Sequence, residues 1–328
     1  MASVTGTFTR FDAKGVREDL SNVIYQISPE ETPFMSNIGR ENVKNTFYEW
    51  QTDDLASAVT TNAQIEGDDI TSFTTVTPTV RLGNYTQISR KDVIISGTLE
   101  SVDKAGRRSE LSYQMAKRSA ELKRDMETTM LANQGAAAGS TSAARKTGAL
   151  LAFLKTNTDK GAGGGDPVYT TIPEAARTDS TSGDLRAFSE TLLKNVIQKV
   201  WTEGGNPDVV MAGPVNKQNL SLMKGIAAQR FNAQGQKPST IIGAADVYVS
   251  DFGNVTIVPN RFQRERDVFV LDTEYASVAY LRPFQTVELA KTGDAEKRML
   301  LVEWGLKIHN EKAHGVITDL NSTIQTAT

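Results

Sequence analysis

Glu100–Ala132 reads ESVDKAGRRSELSYQMAKRSAELKRDMETTMLA, and the fold turns on it. Leu111, Met115, Leu122, Met126 and Met130 fall close to one stripe of a helical wheel, with Ala116 and Ala120 nearby. Charges fill the opposite face, where Lys117 with Glu121 and Lys123 with Glu127 stand four residues apart. A helix over this whole stretch would run for about 45–50 Å at 1.5 Å per residue. So long a helix predicts a spine that the rest of a domain packs against.

On the N-terminal side, residues 45–98 are rich in Thr, Val and aromatic residues, with alternating runs such as Val80-Arg-Leu-Gly. These are strand signals. Their middle, from Asp53 to Asp69, is polar and acidic, so a long hairpin with a solvated or partner-facing tip is expected. Residues 1–15 are polar and read as an arm without a core of its own. Val16, Leu20, Val23, Ile24 and Ile27 then share a helical face that ends at Pro29 and Pro33, and Phe34, Met35 and Ile38 form a short apolar knot.

On the C-terminal side, residues 134–170 are rich in Gly, Ala, Ser and Thr, with one apolar insert at Leu150–Leu154. They predict a loop or linker region with one small helix. Phe188, Leu192, Leu193, Val196, Ile197, Val200 and Trp201 have the clearest helical period in the chain. Asp208–Gly213 reads as a strand, and Pro214 stands where a helix would begin. Short strands are expected at Asp246–Ser250, Val255–Pro259, Val268–Leu271 and Ser277–Leu281. In the last strand Leu300, Val302, Trp304, Leu306 and Ile308 make an apolar face, and the alternate face is mostly polar. The class is α+β.

Composition narrows the function. The 328 residues carry 36 Lys plus Arg against 39 Asp plus Glu, a net charge of −3, which argues against a protein built to coat nucleic acid. There is no cysteine, which removes disulfides, thiolate metal sites and Cys nucleophiles. No run approaches ~18 apolar residues, so no membrane span is expected. The N-terminus lacks a secretory apolar segment, the four Asn-x-Ser/Thr sites (Asn84, Asn219, Asn254 and Asn321) read as chance, and a cytoplasm-like compartment, or exit from the cell by a route that needs no signal, is expected.

Candidate chemistry fails motif by motif. Asp251-Phe-Gly253 lacks the other kinase motifs and reads as a turn between strands. Gly161-Ala-Gly-Gly-Gly165 is followed by Asp166-Pro167 in place of Lys-Ser/Thr, so it reads as a flexible loop, not a phosphate cradle. His309 and His314 flank Glu311 at the wrong spacing for a zinc site. The pairs Glu30-Glu31, Asp53-Asp54 and Asp68-Asp69 read as acidic loops. No catalytic, cofactor or metal residues are expected.

Several stretches resemble one family, in order along nearly the whole chain. They are REDLSNVIYQISPEETPFMSNIGR (17–40), YEWQTDDLA (48–56), QISRKDVIISGT (87–98), ELKRDME (121–127), VYVSDFG (247–253), LRPFQT (281–286), AKTGDAEKR (290–298) and NEKAHG (310–315). In these the chain is similar to major capsid proteins of tailed phages of the SU10-like group. The resemblance implies the Hong Kong 97-type capsid fold: an N-terminal arm (1–44), an extended loop (45–98), a peripheral domain with a spine helix and a Gly-rich connection (99–184), an axial domain (185–265), and returning strands of both domains (266–328). It implies copies joined in pentamers and hexamers of a virion shell, assembled in the host cytoplasm around double-stranded DNA that is held without sequence-specific binding. No long helical scaffolding extension precedes the arm, so a separate scaffolding protein is expected, with a portal and decoration proteins as further partners. Phe47, Trp50, Phe73, Val80, Leu82 and Tyr85 are the candidate assembly residues, because a two-stranded hairpin is marginal alone and needs another surface. An encapsulin-like cargo compartment and a carboxylate-dependent α/β enzyme are the alternatives.

Overall fold

The computed structural model describes residues 31–67, 69, 73, 75–223 and 246–324. The expected arm over 1–15 and helix over 16–27 lie outside them. The described chain opens with α1 (Pro33–Asn37), where proline occupies a first-turn position that needs no N–H donor. It continues through β1 (Gly39–Asn42), β2 (Phe47–Thr52), β3 (Val80–Tyr85), β4 (Gln87–Ser96), α2 (Gly97–Ser101), α3 (Glu110–Met130), α4 (Leu150–Phe153) and β5 (Thr158–Asp159). There follow α5 (Glu190–Thr202), β6 (Val209–Ala212), α6 (Pro214–Ser221), β7 (Val247–Ser250), β8 (Gly253–Pro259), β9 (Val268–Leu271), β10 (Ala276–Glu288), β11 (Ala295–Ile308) and β12 (Gly315–Ile317). Three sheets form among the described residues, in the orders β1-β10-β11-β4, β5-β12-β9-β6-β8-β7 and β2-β3.

The spine helix is shorter than its sequence suggests. α3 holds 21 residues, about 31 Å, and residues 102–109 interrupt the run. Gly106 takes φ +75°, a left-handed conformation that ends helices. The break is stapled on both sides. Lys104 Nζ donates to the carbonyls of Leu99, Glu100 and Val102. Glu100 Oε2 accepts the backbone N–H groups of Glu110 and Leu111, and Ser109 Oγ accepts that of Ser112. These acceptors satisfy the open first turn of α3.

The apolar stripe holds. Leu111, Leu122, Met126 and Met130 are buried, and Met115 packs on the same core. The charged face does not follow the expected pairs. Glu121 bonds Arg118, not Lys117. Glu127, expected on the solvated face with Lys123, is fully buried. Its carboxylate accepts the backbone N–H groups of Phe34 (2.7 Å) and Met35 (2.9 Å) and Asn260 Nδ2 (2.7 Å). One side chain thus fastens α1, α3 and the loop after β8. Burial pushes this carboxyl above the usual range, against the three donors that lower it.

α3 packs on β4 and β11, over a core centred on the fully buried Trp304. A second core lies between α5 and the six-stranded sheet, where Leu193, Val196, Ile197 and Val200 meet Val210, Val268, Val270 and Ile317. Trp201, expected on that stripe, is 53% exposed and meets Phe252 at the β7–β8 turn with ring centroids 5.0 Å apart.

β10 runs for 13 residues, past the expected end at Leu281. Pro283, which cannot donate to a ladder, falls inside the register shift between Arg282 and Gln285. The Gly161–Gly165 stretch, expected to be flexible, is pinned: Gly161 N–H donates to Asp319 Oδ2 at 3.1 Å and Asp166 bonds Thr158, Lys160 and Arg177. No group of three metal-ligating side chains occurs among the described residues, and no described helix is long and apolar enough to cross a membrane.

Candidate assembly surface

The β2–β3 hairpin pairs Phe47 with Tyr85, Tyr48 with Asn84, Glu49 with Gly83, Trp50 with Leu82, Gln51 with Arg81 and Thr52 with Val80. Its base lies on the face of β11 that alternation marks as polar. That face is therefore covered: Leu301, Glu303 and Gly305 are buried along with their apolar neighbours. Gly305 makes the approach possible, because a Cβ there would stand 2.4 Å from the Tyr48 oxygen. Tyr48 donates its O–H to Leu306 O at 2.8 Å. Asn84 Nδ2 donates to Leu306 O at 2.6 Å, and Asn84 Oδ1 accepts the Gly148 N–H at 2.8 Å. Where β3 gives way to β4, Thr86 Oγ1 and Arg282 Nε bond the buried Glu303 at 3.0 and 2.7 Å, and Arg145 pairs with it as well.

The candidate residues divide along the hairpin. Leu82, 5% exposed, belongs to the chain's own core. Trp50 is half-buried against that core, its ring 6.1 Å from Phe153 and 5.9 Å from Tyr48, with Lys307 Nζ 6.0 Å from its centroid. Phe47 and Tyr85 are half-buried, their rings tilted against each other with centroids 5.0 Å apart. Val80 is 49% and Phe73 87% exposed. Between Thr52 and Val80 no strand occurs among the described residues, and Leu55, Val59, Ile65 and Val76 are exposed there. The sequence reading did not single out Leu55, Val59 or Ile65; their signal is isolation, each apolar in a polar run.

Residues 87–96, grouped in sequence with the extended loop, leave the hairpin. They form β4, which pairs antiparallel with β11 from Gln87–Trp304 to Ser96–Ala295. Lys312 tethers the tip at Asp54: its Nζ lies 3.1 Å from Asp54 Oδ2 and 3.0 Å from Glu203 Oε2. The hydrogen bonds to Glu203 and Asp54 raise the Lys312 pKa. Chemically this surface can bury apolar area on a partner. A cleft of 470 Å³ beside α5, lined by Asn157, Asn195, Gln198, Lys199 and Glu203 among others, offers no histidine and no pair of carboxylates.

Two sheets joined by a spine helix, with a hairpin projecting from them, match solved capsid subunits. The capsid asymmetric unit of cyanophage A-1(L) superposes with TM-score 0.64 at 12% identity, covering 93% of this chain and 97% of that one. The capsid structure of cyanophage P-SCSP1u gives TM-score 0.61 at 10% identity, covering 97% of each chain. At such identity the likeness is one of fold, and the fold is the Hong Kong 97-type capsid fold. In sequence, the profile of the family described as SU10 major capsid protein matches residues 3–321. The chain is also 30% identical, over 346 aligned positions, to the major capsid protein of Escherichia phage Phieco32, covering 94% of this chain and 96% of that one. The chain belongs to the SU10 family of tailed-phage major capsid proteins.

Proposed function

We propose that copies of this chain join as pentamers and hexamers of an icosahedral shell around double-stranded DNA, without catalytic activity. The observation that carries this reading is the segment between β2 and β3. It exposes Leu55, Val59, Ile65, Phe73 and Val76 on a stretch that forms no strand among the described residues. Each of these large side chains stays in water on the isolated chain, and a neighbouring copy that covered them would gain the free energy of burying their apolar area. Phe73 and Val80 are the contact residues on this reading. Phe47, Trp50, Leu82 and Tyr85 hold the base from which the tip reaches.

The partition of the chain follows the sheets. An arm (1–44) leads to the extended loop, which ends where β4 (87–96) enters the four-stranded sheet. The four-stranded sheet with α3 forms the peripheral domain. The six-stranded sheet with α5 and α6 forms the axial domain, centred on 185–265. The returning strands (266–328) are shared, since β9 and β12 join the six-stranded sheet while β10 and β11 join the other. Assembly takes place in the host cytoplasm with a separate scaffolding protein, a portal and decoration proteins. A net charge of −3 suits a wall that confines DNA without gripping it.

The test replaces residues 54–68 with a short Gly-Ser turn and, separately, makes Phe73→Asp. Both variants are expected to stay folded and soluble but to give few closed particles by negative-stain microscopy. Shells of ordinary size and heat resistance from both would refute the contact. The contents of wild-type particles, DNA or a cargo protein, separate a capsid from a compartment.

A further inference from the structure

A buried polar knot closes one end of the six-stranded sheet. Three segments meet there: Gln263–Asp267 before β9, residues 161–180 between β5 and α5, and Asp319 just after β12. Arg264 Nη2 bonds Asp179 Oδ2 at 2.6 Å. Arg266 Nη2 donates to Ser180 O at 2.7 Å and to Asp319 Oδ1 at 3.0 Å. Asp319 also accepts the backbone N–H of Ser180 at 2.8 Å, from a left-handed backbone conformation (φ 60°) that non-glycine residues seldom adopt. Arg177, itself buried, bonds Asp166.

Asp267 is the anomaly in this knot. It is 1% exposed, and neither carboxylate oxygen accepts a hydrogen bond. Arg264 Nε stands 3.3 Å from Oδ2 without hydrogen-bond geometry. Nε and Nη1 of Arg177, Nη1 of Arg264, Nε of Arg266 and Oε1 of Gln263 are likewise buried without partners. Buried polar groups are nearly always satisfied, so each of these calls for an explanation.

Donors and acceptors are unfilled together, and that limits what can fill them. An anion would suit the guanidinium groups and be repelled by Asp267. A metal ion would suit Asp267 and be repelled by three arginines. Water both donates and accepts, and needs two to four polar neighbours. A proton on Asp267 removes the buried charge and turns one oxygen into a donor.

We propose that this knot is a hydrated, proton-binding joint: Asp267 carries a proton while the three segments are closed, water links its carboxyl group to Arg177 and Arg264, and loss of the proton loosens the closure. Burial is the largest influence on Asp267 and pushes it up to about 7; Asp179 and Asp319 push the same way, while Arg264 and Arg177 oppose them. Asp166 and Arg266, the other charges of the knot, are engaged with Arg177 and Asp319.

The linkage has a definite sign. A folded Asp267 holds a proton that the unfolded chain, with an ordinary carboxyl near 3.9, has already released. Its contribution to stability is therefore largest in acid, falls as pH rises from about 4 to about 7, and is flat above that. The test is urea unfolding of the full-length subunit as wild type and as Asp267→Asn. The ratio of variant to wild-type folding constants should rise about a hundredfold between pH 4.5 and pH 7. A ratio constant over that range overturns the proposal. Should Asp267→Asn fail to fold, Arg264→Gln removes the cation that stands 3.3 Å from the carboxyl group. The upper end of the proton-linked window should then move above pH 7 relative to wild type, and an unmoved window overturns the proposal. A cryo-EM map of the shell that resolves solvent should show water within hydrogen-bond distance of Asp267 and Arg177. A dry knot, or an ion in that place, overturns the hydration.

Discussion

The base and the tip of one hairpin have similar residues and opposite fates. At the base, Tyr48, Trp50 and Leu82 find a second layer in β11, α4 and the 145–148 loop. At the tip, Leu55, Val59, Ile65, Phe73 and Val76 find none. Hydrophobicity alone therefore does not sort an extended segment into core and interface. What sorts it is whether the rest of the chain brings a face within reach, and here Gly305 opens that face by leaving room for the Tyr48 ring.

The strongest way to break this contrast is at the foot of the base. Glu303 binds Thr86, Arg145 and Arg282 where the hairpin passes into the four-stranded sheet. Glu303→Ala strands its cationic partners and should cost about 3–5 kcal/mol in urea unfolding of the subunit. A loss below about 1 kcal/mol would mean that the base is held by apolar packing alone.

Next, the contrast is sharpened by two matched truncations. Leu82→Ala should destabilise the free subunit by about 2–5 kcal/mol, as core truncations do. Phe73→Ala should change subunit stability by less than about 0.5 kcal/mol, as exposed positions do, yet lower the melting temperature of assembled shells. Equal effects on the free subunit would abolish the distinction between base and tip.

Acid should act on the packed part of the chain and spare the tip, where the described carboxylates Asp53, Asp54, Glu66 and Asp69 are all exposed. His314 is fully buried, with Nδ1 accepting the Asp272 N–H at 3.4 Å and Nε2 3.3 Å from Tyr275 O. Desolvation pushes its pKa down to about 4. The unfolded chain takes up this proton near pH 6.5 while the folded chain refuses it. Stability on this account is whole above about pH 6.5 and falls toward pH 4, by up to about 3 kcal/mol. Asp267 gives the opposite slope over nearly the same interval, so the two mask each other in the wild type. A His314→Gln variant should gain on the wild type as pH falls, whereas a pH-independent difference would show that His314 titrates normally.

The smallest effect belongs to the tether. Lys312→Gln removes partly exposed ion pairs to Asp54 and Glu203, each worth about 0.2–1 kcal/mol. Hydrogen exchange over residues 50–54 should quicken only a few-fold in the unassembled subunit. A change as large as that from Leu82→Ala would make the tether, not the base packing, the anchor of the hairpin.

The amino-acid sequence alone determined the periodic features: the Leu111–Met130 stripe, the buried face of α5, the alternation of β11, the proline start of α6, and the turn at Asp251-Phe-Gly253. These are legible because backbone geometry sets a period of 3.6 or 2, and burial writes it into neighbouring residues. The apolar residues of the hairpin were legible as a group, but not their division into base and tip. Tertiary structure alone decided that division, the burial of Glu127 and the passage of residues 87–96 into the sheet. Each depends on partners far away in the chain: Asn84 bonds Leu306, 222 residues on, and Glu127 holds Phe34, 93 residues back. A local pattern shows that a residue needs a partner, and the path of the folded chain determines which one comes within 3 Å.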